Sequence, residues 1–281
     1  MSTATIDPTR TPRPTHRPAR RTGALTQAAL LTGRQARQGM RIPVFMVMNL
    51  LQPMIWLLLF GQLFRSVIEI PGFAGGADVS YLEYLTPGVV MMTAMGGAAW
   101  AGTTFVQDMD RGVMDRFLAS PTSRGALLSA SMAWYALLGC AQALVVVGVA
   151  WVGGARFPGG GAGVLVMLVA VALLSCLFAA LSGAVALLTR QQEALIGVSQ
   201  LLTIPLMFLS SAVMDPALAP GWIATAARFN PFDWAVVVAR DALQGFADPG
   251  TVWLHLGLLA GAVVVMGALA SLAFRAYRRA V

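Results

Sequence analysis

The densest set of charged side chains between two apolar runs of this chain lies between residues 107 and 124. Its carboxylates and guanidinium groups could hold a charged partner or take part in acid–base chemistry: Asp108, Asp110, Arg111, Asp115 and Arg116. Between them runs an apolar stripe at helical spacing, formed by Met109, Val113, Met114, Phe117 and Leu118. We predict a helix over residues 107–120, ended by Pro121, whose apolar side chains fit a groove on a soluble partner. The residues alone favour equally a helix that lies on a lipid surface.

The sequence lacks the motifs of the common hydrolytic sites. All 19 basic residues are arginine, whereas a nucleotide-binding P-loop needs a lysine that reaches the phosphates. Neither a His-Glu-x-x-His zinc motif nor a Gly-x-Ser-x-Gly nucleophile turn is present. Leu181-Ser-Gly183 matches a fragment of an ATPase signature, but without its partner motifs we interpret it as chance. We predict no catalytic residue, no metal site and no cofactor on this chain.

The hydropathy pattern predicts the helices that position the charged segment. The chain is 57% hydrophobic and 11% charged, against roughly 25% charged residues in soluble domains. Six apolar runs free of Asp, Glu, Lys and Arg cover residues 44–64, 85–106, 127–152, 161–188, 194–214 and 252–274. Runs of about 20 such residues are typical of membrane helices. We predict an all-α integral membrane protein with six transmembrane helices.

The arginines predict the orientation of those helices. If both termini are cytoplasmic, fifteen arginines lie on the cytoplasmic side and four on the outer side, as the positive-inside rule requires. His255 is the one histidine within the six runs, which hold no carboxylate, and this argues against a proton-coupled pump. We therefore predict a multi-pass protein of a bacterial cytoplasmic membrane.

The region before the first run divides into two parts. Residues 1–23 are rich in proline and arginine and lack apolar periodicity, which predicts a disordered basic cytoplasmic tail that is solvated or touches anionic lipids. Residues 24–42 are amphipathic and predict a helix along the membrane surface; a simple connector is the alternative. Residues 43–281 then form the six-span domain.

Three motifs resemble one family. The segment Asp110-Arg-Gly-Val-Met-Asp-Arg-Phe-Leu-Ala-Ser-Pro-Thr-Ser-Arg124 is similar to the signature of type-2 ABC permeases, in particular their daunorubicin/doxorubicin-resistance branch. Tyr81-Leu-Glu-Tyr-Leu-Thr-Pro-Gly88 and Asn230-Pro-Phe-Asp-Trp234 resemble further motifs of that family, in the same order. Asp110 stands where the family commonly has Glu, and Val113-Met114 where Thr-Leu is frequent; both changes keep the charge and the apolar stripe.

The resemblance implies partners and a function. It implies that residues 107–120 are the coupling helix that docks on an ATPase subunit. Two soluble ABC ATPase subunits, which bind ATP and Mg, and a second permease, the same or similar, would complete an exporter in contact with membrane lipids and no nucleic acid. The cargo would be hydrophobic or amphipathic, such as a drug, a polyketide or a lipid. An ATP-independent channel or assembly factor and a lipid-modifying membrane enzyme are the rival functions.

The resemblance also implies a pathway and an outer gate. Helices two and five would line the cavity at the permease dimer, with six candidate residues: Met92, Met95, Phe105, Gln200, Thr203 and Phe208. Asp215-Pro216 and Asn230-Pro231 each pair an N-cap residue with proline at the first helical position, which predicts short re-entrant outer helices over 216–228 and 231–243. Their candidate gate residues are Trp222, Asn230, Pro231 and Trp234. Ordinary helix packing and an interfacial hairpin without a gating role are the alternatives.

Overall fold

The computed structural model describes residues 23–40, 43–63, 80–114, 124–212 and 221–279. Every regular element within these ranges is helical, and none of the residues described forms a strand. The helices are α1 (Ala24–Met40), α2 (Pro43–Leu63), α3 (Tyr81–Ala99), α4 (Ala101–Asp110), α5 (Arg124–Val152), α6 (Gly160–Thr189), α7 (Gln192–Phe208), α8 (Gly221–Ala227), α9 (Pro231–Leu243) and α10 (Pro249–Arg279).

Four helical stretches of the described ranges are long and apolar enough to cross a membrane. They are Tyr81–Asp110, Gly125–Val152, Gly160–Thr189 and Pro249–Ala276, the first of which combines α3 and α4. Two further apolar segments, Leu50–Leu63 and Gln192–Phe208, are shorter than 18 residues. The all-helical, multi-pass prediction is confirmed, and the count of six spans stays a prediction.

Helix α6 forms the centre of the bundle. Helices α3, α4, α5, α9 and α10 all pack against it. Its sequence is apolar on every face, the pattern of a helix enclosed by others. Met167, Leu174 and Phe178 are buried in the core that α6 shares with its neighbours.

Helix α7 ends earlier than its apolar run. The hydropathy predicts a span over 194–214, but the helix stops at Phe208 and residues 209–212 form a turn. Side chains donate hydrogen bonds to the last carbonyl groups of the helix. The Ser210 hydroxyl donates to Met207 O at 2.6 Å, and the Asn230 side-chain amide donates to Leu206 O at 2.7 Å. A helix end that side chains satisfy in this way does not need to continue.

Helix α9 has the predicted bounds. The Asn230 side-chain oxygen Oδ1 accepts from the Phe232 amide at 2.9 Å, and Pro231 occupies the first turn. Phe232 is fully buried in the core, so it anchors α9 to the bundle. Helix α8 is described from Gly221 to Ala227, and its predicted beginning at residue 216 lies outside the described residues.

Candidate functional site

A cleft between α3 and α7 contains part of the predicted pathway. It measures about 40 Å³, and its wall is uncharged, comprising Gly96, Ala99, Trp100, Leu195, Ile196, Ser199, Gln200 and Thr203. Two of the predicted pathway residues, Gln200 and Thr203, therefore lie together, and their contact with cargo stays a prediction. A wall of hydroxyl, amide and indole groups can hydrogen-bond and stack on an amphipathic molecule without the cost of burying a charge.

The other pathway candidates lie elsewhere. Met95 is fully buried in the main core, and Met92 packs against that core. Phe105 is buried in a second apolar cluster, where its ring lies close to Gly183. Phe208 is 69% exposed at the end of α7. The structure does not bring these four side chains into the cleft with Gln200, and their roles in transport stay predictions.

The stretch formed by α3 and α4 is broken beside this cleft. Trp100 ends α3 and precedes α4, with backbone angles φ −87° and ψ −1°. The freed Ala99 carbonyl accepts from Ser182 Oγ at 2.6 Å and from Ser199 Oγ at 3.3 Å. The sequence shows neither serine as functional, because each is separated from Ala99 by at least 83 positions along the chain.

The segment beyond α4 leads toward the predicted coupling residues. Asp108 and Asp110 lie in the last turn of α4, and the chain turns at Arg111 and at Gly112, whose φ is +65°. The helix predicted over residues 107–120 is therefore interrupted at residues 111–112. Asp110 and Arg111 are exposed, whereas Met114 is buried against the second apolar cluster. Asp115, Arg116, Phe117 and Leu118 lie outside the described residues, so the docking role stays a prediction.

Helix α1 docks on the bundle next to this segment. The Arg34 guanidinium lies 3.6 Å from an Asp108 carboxylate oxygen, and the Thr32 hydroxyl lies 3.3 Å from Ala130 O. Gly39 sits against the Trp134 ring, where a Cβ atom would come within 2.6 Å. The amphipathic pattern predicts the helix but not this packing, since arginines on a polar face do not reveal which carboxylate they meet.

Reversing the charge at Arg34 tests this docking. We expect Arg34→Glu to lower the apparent Tm modestly, because a partly exposed ion pair contributes about 0.2–1 kcal/mol. The double variant Arg34→Asp with Asp108→Arg should recover most of the loss, and Arg37→Glu on the same helix serves as the control. If the double variant is less stable than Arg34→Glu alone, the pair does not hold α1 in place.

A second group of polar side chains closes the opposite end of the bundle. This end, where α3 begins and α7 ends, is the outer end in the predicted orientation. The Asp233 carboxylate accepts from the Ser211 amide at 2.6 Å. The Arg240 guanidinium donates to Ser211 O at 2.7 Å and lies 4.0 Å from the centre of the Tyr84 ring. The Asn230 amide donates to Leu206 O and to Leu209 O, each at 2.7 Å.

We call Asn230, Asp233 and Arg240 the outer clasp. All three belong to α9 or its N-cap, and all three bind backbone atoms at the end of α7. Pro231, at the first turn of α9, sets the backbone that aims them. The clasp therefore ties α7 to α9, which packs against α3 and α6. Asn230 is recognisable in the sequence through its N-cap signal, whereas Asp233 and Arg240 were missed because their partners are distant along the chain.

The tryptophans predicted for the outer gate differ in their surroundings. Trp234 donates its indole N–H to Arg228 O at 2.8 Å and so closes the turn between α8 and α9. Trp222 is 65% exposed on α8, as expected of an interfacial ring. The two rings do not form a barrier together in the structure, and their gating role stays a prediction.

Helix α10 begins at this same end of the bundle, directly after Asp248. The Asp248 carboxylate accepts from the Gly250 and Thr251 amides at 3.1 and 3.3 Å, and from the Thr251 hydroxyl. These bonds, led by the hydroxyl, hold the pKa of Asp248 below its usual value. Asp248 therefore stays ionised and complements the N-terminus of α10.

Within the part of the chain that the structure describes, no three His, Cys, Asp or Glu side chains are grouped so as to hold a metal ion. The polar side chains of the site instead form hydrogen bonds with backbone atoms or line the cleft.

Sequence comparison decides the family of this helical bundle. The family model of the ABC-2 type transporter matches residues 26–243. The chain belongs to the ABC-2 type transporter family. The match runs from α1 through the cleft helices to the end of α9, so it includes both the charged segment after α4 and the outer clasp. This ABC-2 type transporter chain is thus a multi-pass membrane permease.

Individual relatives agree with this assignment. The permease is 32% identical over 240 residues to the daunorubicin resistance ABC transporter permease protein DrrB1 of Streptomyces coeruleorubidus, which covers 84% of this chain and 80% of the relative. It is 27% identical over 201 residues to the putative transport permease ycf38 of Cyanophora paradoxa, covering 71% and 68%. The ycf38 protein of Pyropia yezoensis is 25% identical over 217 residues, covering 75% and 72%. The resemblance seen in the three motifs is confirmed.

Proposed function

We propose that this permease exports a hydrophobic or amphipathic, drug-like molecule across a bacterial cytoplasmic membrane. One observation carries the proposal: the uncharged cleft at Ser199, Gln200 and Thr203 adjoins the broken helix that leads to the charged segment after Asp110. In this proposal, a change in the shape of the cleft is coupled to a movement of that segment, because one short helix, α4, joins the two. The daunorubicin resistance named in one relative supports a drug as cargo.

The energy source in this proposal is a separate protein. Two soluble ATPase subunits bind ATP and Mg and dock on residues 107–120, and a second permease copy or a similar permease completes the pathway. The chain itself carries out no catalysis, consistent with its lack of lysine. Six spans with both termini in the cytoplasm place the charged segment on the ATPase side, in agreement with the distribution of arginine.

Charge reversal and truncation in the coupling segment test this function. We expect Arg116→Glu and Phe117→Ala each to weaken copurification of the cognate ABC ATPase and to reduce ATP-dependent daunorubicin efflux at least about tenfold, which corresponds to 1.4 kcal/mol. A guanidinium and an aromatic ring are the side chains that most often dominate the energy of an interface. The measurements are a pull-down in mild detergent and fluorescence-monitored transport in inverted vesicles.

Arg275→Glu provides the matched control, because Arg275 is an exposed arginine near the C-terminal end of α10, on the same predicted side of the membrane. It should leave both binding and transport unchanged. Efflux that persists without ATP or without the ATPase indicates a channel instead. Chemical alteration of a lipid by the purified permease indicates a membrane enzyme.

A further inference from the structure

The helix that connects the cleft to the charged segment is interrupted by a change in hydrogen bonding. At Trp100 the spacing of backbone bonds falls from four residues to three: Trp100 N–H donates to Gly97 O at 3.3 Å, and Thr103 N–H donates to Trp100 O at 3.1 Å. In an uninterrupted α-helix, Thr103 N–H would donate to Ala99 O. The Ala99 carbonyl is therefore released at the point where α3 meets α4.

Side chains from two other helices satisfy the released groups. Ser182 of α6 uses one hydroxyl on both sides of the break: it donates to Ala99 O at 2.6 Å and accepts from Gly102 N–H at 2.9 Å. Ser199 of α7 donates to the same carbonyl at 3.3 Å. Within a membrane, an unsatisfied backbone group costs several kcal/mol. The break is therefore stable only while a side chain such as Ser182 spans it.

The backbone of α4 approaches α6 closely at the same point. A Cβ atom at Gly102 would lie 2.4 Å from the Ser182 carbonyl oxygen and 2.9 Å from Leu195 Cδ2. Gly183, next in sequence to Ser182, likewise leaves room for the Phe105 ring, whose nearest atom would be 3.2 Å from a Cβ there. Ser182 and Gly183, which belong to the triplet that resembles an ATPase fragment, thus form the surface against which α4 packs.

The break is placed between two regions that must communicate during transport. Ala99, Trp100 and Ser199 form part of the cleft wall, whereas the far end of α4 carries Asp108, which is paired with α1. A change in the angle between α3 and α4 alters the cleft wall and the position of the charged segment together. Of the two hydrogen bonds to Ala99 O, the one from Ser199 is the longer.

We propose that the Trp100 break is a hinge and that Ser182 is the positioning residue that holds its axis in place. Ser199 ties the cleft side of the hinge to α7, and its bond opens when the cleft widens. The hinge transmits movement of the coupling segment to the cleft, so this inference rests on the proposed function. Ser182 acts on the backbone of α3 and α4 and not on the cargo.

Spin labels on the full chain test the hinge without the ATPase. Labels at Gln107→Cys on α4 and Leu188→Cys on α6 occupy exposed positions, and the distance between them reports how α4 lies relative to the helix that carries Ser182. Cys140→Ala and Cys176→Ala remove the native thiols. In lipid nanodiscs we expect Ser182→Ala to broaden the distance distribution and shift its mean. Ser175→Ala is the matched control, because Ser175 is also buried on α6 but its hydroxyl has no hydrogen-bond partner among the described residues.

The second measurement counts daunorubicin molecules moved per ATP hydrolysed by the assembled transporter. Ser182→Ala should lower this ratio several-fold while ATP hydrolysis continues, and Ser175→Ala should keep it. Ser199→Ala, which removes the weaker bond, should lower the ratio less and provides the comparison if Ser182→Ala does not fold. Equal distributions or equal ratios for the Ser182 and Ser175 variants overturn the hinge. A wild-type chain that binds no ATPase overturns the proposed function, while the nanodisc distances still decide the hinge.

Discussion

Replacing Asn230 by alanine is expected to detach the outer end of α7 and to destabilise the permease strongly. The substitution removes the N-cap of α9, which contributes about 1 kcal/mol. It also leaves Leu206 O and Leu209 O, which are both partly buried, without their amide donor, at a cost of up to about 1–3 kcal/mol for each group. The apparent Tm in detergent and the rate of proteolysis between α7 and α9 measure the effect.

The variant Asn230→Ser separates the two roles of this side chain. Serine keeps an N-cap acceptor for Phe232 N–H but is too short to reach both carbonyls of α7. We expect its stability to lie between those of the wild type and Asn230→Ala, with most of the loss retained. If Asn230→Ser matches the wild type, capping of α9 is the main contribution and the tie to α7 is minor.

The second large effect is expected at Gly163, where α6 meets the end of α9. A Cβ atom at Gly163 would lie 2.1 Å from the Ala242 carbonyl oxygen, and one at Gly159 would lie 1.9 Å from the same atom. Backbone cannot yield as a side chain does, so Gly163→Ala must push α9 and its clasp away from α6. Overpacking of this kind costs about 1–3 kcal/mol or more, measured as a fall in apparent Tm and a loss of efflux.

Gly161→Ala on the same helix should change stability in the opposite direction. Nothing lies within 4 Å of a Cβ atom built there, and alanine is favoured over glycine within a helix by about 0.5–1 kcal/mol. The two variants are therefore expected to change the apparent Tm in opposite directions, although each replaces a glycine by alanine. A fall in Tm of equal size for both would mean that the contact with Ala242 O does not limit packing.

Both effects are expected to be large because both substitutions displace α9 from its neighbours. The outer clasp and the Gly163 contact act on the same small helix, α9, which is buried on several sides by α3, α6 and α10. Lipid cannot replace a lost backbone partner in the way that water can. Displacement of α9 therefore exposes carbonyls that have no alternative donor.

Local features of the sequence determined much of the architecture. Hydropathy placed α5, α6 and α10 within a few residues of their bounds, because the lack of charge over about 20 residues is a property of the segment itself. Asn230 and Pro231 predicted the bounds of α9 correctly, since a cap acts on amides two or three positions away. The family was also predictable, because each of its three motifs is a contiguous run of residues and their order along the chain matches that of the family.

Only the tertiary structure decided the features that depend on distant partners. The break at Trp100 depends on Ser182 and Ser199, and the end of α7 at Phe208 depends on Asn230; in each case the donor comes from another helix. The pairing of Arg34 with Asp108 joins residues that no periodicity relates. Apolar periodicity shows that a segment is helical and which face it buries, but it does not specify which hydroxyl or amide meets a released carbonyl. The charged segment after Asp110 was thus predictable as a feature of the sequence, whereas its connection to the cleft through a bridged break was decided by packing.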